Sequence, residues 1–321
     1  MENTKVTTEK YPQRDVKRPT TAKVVCFGSL MAMELFVIDE WPQRNFGCIY
    51  QEQRESLGLD AAMIAIMLRG WDIHSGLIGS ALAEDYRGRW LAEQLKLADV
   101  LGEVRLDSQL STIPVVLISD AMGGRTYFWQ PDKKLMATLD TADLSVLNGS
   151  RLLYVDWYDE DHILRPMDEA IKLNIPVFLN LEHLHEDPDI LARYAGRATI
   201  CQAITDSAQR GDQSPLAVAQ TLLDAGVKTA LITLAGEGCL VVQEQKAIRV
   251  HAPSIQAIDS FGAGATFSAG FIYGYLKGWS LEKMARFATA TASIKCSRVG
   301  LEPPDLIESQ TLAEQLQVEY L

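Results

Sequence analysis

The sequence predicts an α/β domain built on a mostly parallel sheet, and three observations carry that expectation. From about residue 150 onward, apolar runs alternate with helix-period segments: strands at 152–156, 176–181, about 198–201 and 229–234 are separated by helices at 163–173, 188–194 and 215–225. Strands joined through helices pair in parallel, and a parallel sheet needs helices on both faces. The first ordered run, 23–28, is apolar and closes on Gly28, as a buried strand of such a sheet would. The chain has 321 residues, 47% of them hydrophobic and 22% charged, enough to bury one large core.

Residues 1–22 are polar and charged and contain Pro12 and Pro19; they read as a mobile tail, which leaves 23–321 as the folded domain. Residues 35–38 are a second extended stretch, ended by Pro42. Residues 61–68 and 87–97 read as helices, with a strand at 73–79 between them. Runs at 115–119 and 126–129 alternate around Met122, Gly123 and Gly124, the pattern of a hairpin. The early extended segments, about 31–59 and 112–130, are expected to form a small accessory sheet.

A formal net charge of −12 argues against nucleic acid and an anionic membrane surface as partners, since both need a basic face. Cys26, Cys48, Cys201, Cys239 and Cys296 are scattered without a C-x-x-C pair. They fit neither a disulfide framework nor a zinc site, and reduced thiols in a cytoplasmic protein are expected. No apolar run approaches the roughly 18 residues of a membrane span, and no signal-peptide core is evident. His74, His162, His183, His185 and His251 read as surface residues.

The chemistry concentrates at Asp259-Ser260-Phe261-Gly262-Ala263-Gly264-Ala265, directly ahead of a helix that reads as amphipathic. Small residues there let backbone N–H groups close on an anion, and the helix N-terminus adds partial positive charge. The string resembles the D-[ST]-x-G-A-G-D signature of the ribokinase-like PfkB carbohydrate kinases. Gly28-Ser29, Val37-Ile38-Asp39 with Pro42, Gly58, Gly123-Gly124-Arg125-Thr126 and Thr233 through Gly238 follow the family's order, so the resemblance spans about 23 to 305. The Gly236–Gly238 spacing is similar to that of the ketohexokinase-like branch. The resemblance implies a three-layer α/β/α sandwich with a small β-sheet lid, and ATP or ADP with Mg²⁺ as ligands. It places phosphate and nucleotide contacts at Gly262, Ala263, Gly264, Asp259, Gly236 and Gly238, and indirect Mg²⁺ contacts at Asn180 and Glu182. It also implies a homodimer through the lid.

The resemblance fails where catalysis would occur. The last signature position is the family's general base, an aspartate that takes the proton from the attacking sugar hydroxyl. Here it is Ala265, which accepts none, and Thr266 and Ser268 are poor bases at neutral pH. In the family's G-[SA]-x-N-x-D string the polar pair falls at Met31 and Met33. In G-G-x-x-x-N the second glycine is Leu59 and the asparagine Met63, leaving Asp60 as the polar residue. A sugar hydroxyl that leaves water without finding a partner loses about 1–3 kcal/mol. The expectation is a kinase-dead chain whose substrate pocket, at Met31, Met33, Leu59, Asp60, Met63 and Ala265, has been rebuilt by engineering. Its ligand would be an apolar small molecule, or its chemistry non-phosphoryl and free of cofactors, with Asp60, Asp259, Asn180, Glu182 and Cys201 as nearby polar groups. Two rivals stand beside it: a natural pseudokinase that binds ATP for regulation or assembly, and a weak ATP-dependent sugar or nucleoside kinase.

Overall fold

The apolar runs of the sequence form the middle of a nine-stranded sheet. The computed structural model describes residues 7–8, 21–120, 124–130, 132–205 and 213–321. Six strands run parallel in the order Ser75–Gly79, Val24–Gly28, Leu153–Asp156, Val177–Glu182, Ile200–Ile204 and Thr229–Thr233. The hairpin Cys239–Gln243 and Lys246–Val250, then Val318–Tyr320, extend the sheet antiparallel at one edge. One face packs on the helices Asp60–Gly70, Ala263–Leu276 and Leu281–Cys296, and the other on Leu164–Lys172, Pro188–Tyr194 and Pro215–Asp224. This is the expected three-layer sandwich, with an apolar cluster on each side of the sheet. Along the strands Asp156, Asn180 and Gln202 are register neighbours, so their side chains leave from the same face.

A second, five-stranded sheet forms the lid. Met31–Ile38 pairs antiparallel with Tyr50–Gly58 and parallel with Val115–Asp120, which pairs antiparallel with Arg125–Phe128. The lid springs from the carboxyl end of the main sheet: two residues separate Gly28 from Met31, and one separates Gly58 from the helix that begins at Asp60. A crevice at the carboxyl ends of parallel strands is where open α/β sheets place their ligands.

Several readings change against the structure. Thr7–Thr8, within the expected tail, pairs parallel with Arg54 and Glu55 of the lid, and Ala22 is buried; the rest of 1–20 lies outside the described residues. So do Met122 and Gly123 of the expected hairpin turn, although the strands flanking it are present. His185 is buried, not superficial. Beyond Gly238 the sequence reading named only the helix after Ala265. The structure adds the edge hairpin and the helices Leu281–Cys296 and Leu306–Gln315, capped by Ser280 and Asp305. Among the described residues no helix is long and apolar enough to cross a membrane.

Candidate functional site

Two glycines let the lid, the sheet and the first helix meet. A Cβ on Gly28 would lie 2.6 Å from Asp159 Oδ2 and 3.0 Å from Ala61 Cβ. Asp159 accepts from the Ser29 N–H at 2.9 Å and from the Ser29 hydroxyl, and burial still pushes its pKa up to about 6. Gly58 lies under Met33, whose Cε would be 3.0 Å from a Cβ there. Leu59 follows with φ 70° and ψ 146°, backbone that belongs to glycine, at the position where the family's second glycine falls.

Three acids meet in the crevice. Asp60 opens its helix, Asp156 and Glu182 close neighbouring strands, and one carboxylate oxygen from each lies within 4.8 Å of the others. Asn180 Nδ2 stands among them, 2.8 Å from Glu182 Oε1, 3.0 Å from Asp156 Oδ2 and 3.5 Å from Asp60 Oδ2. The Tyr154 hydroxyl donates to Asp156 Oδ2 at 3.1 Å and reaches Asp60 Oδ2 at 3.5 Å. All three acids are held above the ordinary carboxylate range. Burial and then the charge of Glu182 push Asp60 up to about 7, against Arg125 and Tyr154. Burial, then the charges of Asp60 and Glu182, raise Asp156 much further. Glu182 is raised by burial, against its bond from Asn180 and the charge of Arg125. Such a trio either shares protons at neutral pH or surrounds a cation, and its oxygen-only donor set suits Mg²⁺. The three acceptors around Asn180 fix its amide with the NH₂ group toward them. Asn180 thus bridges the acids through its NH₂ group, and Glu182, named with it as an indirect Mg²⁺ contact, is one of the three acids.

Arg125, on the outer lid strand, ties this cluster to the signature loop. Its charge bears on Asp60 and Glu182, and its Nη1 donates to Ser260 O at 3.0 Å. Two residues on, Gly262 caps the helix Ala263–Leu276 with φ 75°; a Cβ there would strike the Leu301 side chain and lie 3.5 Å from Met63 Sδ. No side chain caps this helix and its first turn carries no acid. The N–H groups of Gly264 and Ala265 precede any intrahelical acceptor, and a Cβ on Gly264 would meet nothing within 4 Å. The Ala263 N–H is taken by Ser260 O, so within the expected Gly262–Gly264 cradle the Gly264 N–H is the donor beside open space, and such a donor at a helix N-terminus fits a phosphate of ATP or ADP. Gly236 is equally open, whereas Gly238, at φ 97°, is required by the turn, because a Cβ would collide with Val250 O.

Asp259 has a different role from the ligand contact expected of it. Its carboxylate is fully buried, Oδ2 accepting from Lys295 Nζ at 2.8 Å and from Gly300 N–H at 3.1 Å, and Oδ1 from Phe261 N–H at 2.9 Å. Ala265 is 1% exposed. The Thr266 hydroxyl donates to Gly262 O at 2.8 Å, and the Ser268 hydroxyl bonds Gln202 Oε1 at 2.8 Å. Neither is a free base. Met31, Met33 and Met63 are buried in one cluster with Leu57, Phe261 and Leu301, with Leu59 at its margin. They fill the core and do not outline an open apolar pocket. Cys201 is also buried, and burial raises its thiol pKa, which suppresses the thiolate. Sequence reasoning missed Asp156, Tyr154, Arg125 and Lys295. Asp156 carried a signal, since it ends a strand of a parallel sheet, and so did Lys295, a cation after a run of nonionisable residues from Phe287 to Ile294.

Comparison with known proteins agrees with this fold. Residues 198–307 match the pfkB family carbohydrate kinase model. An Escherichia coli sugar kinase, YeiI, is 28% identical over 275 residues, 77% of this chain and 70% of its own. A Thermoanaerobacterium thermosaccharolyticum ATP-dependent 6-phosphofructokinase is 28% identical over 129 residues, 39% of this chain; the match spans 40% of that kinase's length. The Arabidopsis thaliana ribokinase structure with ribose and ATP superposes with a TM-score of 0.72 at 20% identity, covering 92% of this chain and 99% of that one. Residues 198–307 are thus similar to the pfkB family carbohydrate kinases, and the fold of the chain is ribokinase-like.

Proposed function

We propose that this chain binds a nucleotide through the phosphate cradle at Gly262–Gly264 but has lost the family's route of phosphoryl transfer. The observation that carries this reading is Ala265. It occupies the position of the proton acceptor, and every polar neighbour on the loop and first turn is engaged elsewhere: Asp259 with Lys295, Thr266 with Gly262, Ser268 with Gln202. Loss of a general base removes a factor of about 10² to 10⁴ in rate. The cradle is made of backbone and survives that loss. The acidic floor of Asp60, Asp156 and Glu182 argues against a pocket rebuilt for an apolar ligand; it suits Mg²⁺ or a cationic ligand group. The test is ADP release over a panel of sugars and nucleosides, for the wild type and for Ala265→Asp. The expected result is turnover at background for the wild type. Wild-type turnover at rates ordinary for kinases, about 1–100 per second, would overturn the reading.

One observation favours a second reading, a weak kinase. The Asp60 carboxyl, pushed up to about 7, has the proton affinity of a general base at neutral pH, and Arg125 bears on both it and the cradle loop. If a slow transfer is found, Asp60→Asn is expected to abolish it, and survival of the activity in that variant would rule Asp60 out.

A further inference from the structure

Lys295 is the feature of the fold that neither the phosphate cradle nor the acid cluster uses. It stands near the end of the helix Leu281–Cys296, its side chain fully buried against the sheet side of the signature loop. Its ammonium donates to Asp259 Oδ2 at 2.8 Å and to the main-chain Asp259 O at 2.9 Å. The same carboxylate holds the N–H groups of Phe261 and Gly300, and the N–H groups of Ile258 and Asp259 bond Cys296 O. Burying an ion pair in an apolar core rarely adds net stability over well-packed apolar residues of the same volume, so retention of a charge here calls for a structural task. The oxygens around the ammonium, one carboxylate and one main-chain carbonyl, are the donors that a monovalent cation takes. They belong to the residue three positions before Gly262, whose φ of 75° sets the mouth of the cradle.

We infer that Lys295 is a tethered monovalent cation and a positioning residue: its ammonium gathers the Asp259 oxygens and so sets the 259–262 loop that forms the phosphate cradle. Because the cation is part of the chain, the cradle is expected to work without any free alkali or ammonium ion. Replacing Lys295 by methionine, one heavy atom shorter, keeps the apolar stem and removes the terminal ammonium. That leaves the Asp259 oxygens around a space into which a free cation of ammonium size fits.

The test uses the full chain and the variant Lys295→Met, each measured in choline, sodium, potassium and ammonium chloride at one ionic strength. The probes are ADP affinity by calorimetry and the thermal midpoint without nucleotide. For the wild type, both are expected to be the same in all four salts. For Lys295→Met, ADP affinity in choline chloride is expected to fall about tenfold or more, the scale of losing charge-assisted bonds at a buried site. Ammonium or potassium chloride is expected to restore both affinity and midpoint. In the double variant Asp259→Asn, Lys295→Met, which lacks the carboxylate, the restoration is expected to vanish. A Lys295→Met protein that folds and binds ADP like the wild type in choline would overturn the proposal. So would one that stays unfolded or weak in ammonium and potassium, or a wild type whose affinity rises with added potassium. The binding arm rests on the cradle reading and the melting arm does not, so a wild type that binds no ADP yet shows ammonium rescue of Lys295→Met would sink that reading alone.

Discussion

At the residue scale the departures from the family pattern have different physical standing. Leu59 has φ 70°, a backbone that favours glycine, and its side chain packs at the margin of the core. Truncation to alanine loses that packing and keeps the strain; truncation to glycine loses the packing and relieves it. Leu59→Gly is therefore expected to be more stable than Leu59→Ala by about 1 kcal/mol in urea unfolding, the reverse of the usual order. Asp60 offers a second measurement. Its folded pKa of about 7 lies above the ordinary unfolded value near 4, so the folded state has to ionise it at a cost fully present above pH 7 and absent below pH 4. In metal-free buffer Asp60→Asn is expected to raise the thermal midpoint by a few degrees at pH 8, with the gain fading toward pH 4. A gain that grows toward acid would contradict the sign. Ala265 was legible in the signature string, and the three methionines in the two shorter glycine-led strings. That the methionines pack in one buried cluster was not, because it depends on Leu57, Phe261 and Leu301, which the fold brings to Met31, Met33 and Met63 from separate parts of the chain.

At the element scale the sequence announced the βαβ half and the signature helix, because buried parallel strands are apolar runs and helices show their period. It did not announce the edge hairpin after Gly238 as part of the main sheet, since an antiparallel edge looks like any other hairpin. The acid cluster was only half visible. Asp60 and Glu182 were named, but Asp156 and Arg125 join them through strand order and lid closure, which spacing along the chain does not reveal. The helix cap makes its own prediction. Gly262 combines a φ of 75° with contact against Leu301, so Gly262→Ala is expected to distort the cradle and weaken ADP binding at least about tenfold. The thermal midpoint of the variant, measured alongside, is expected to fall by a few degrees while the protein stays folded.

For the whole molecule, the lid leaves a surface unexplained by the monomer. Arg125–Phe128 is an edge strand, and Tyr127, Phe128 and Trp129 are about half exposed on it, with Phe46 and Ile49 more so. Exposed edges with aromatic residues invite pairing with another chain. We propose that a second copy covers the lid; sedimentation is expected to show a dimer for the wild type and a monomer for Phe128→Asp with Trp129→Asp, and a wild-type monomer at micromolar concentration would reject this. The proposal of binding without transfer joins the sandwich, the lid and the loop at Gly262–Gly264 to Ala265 at the last position of the signature string. The most direct measurement follows both in one sample: calorimetric titration of ATP with Mg²⁺ into the wild type in the presence of the sugar panel, with ADP quantified chromatographically afterwards. The expected result is saturable ATP binding, at least about tenfold weaker in Gly262→Ala, with no ADP beyond the protein-free blank. Sugar-dependent ADP formation, or heat identical in the wild type and Gly262→Ala, would contradict it.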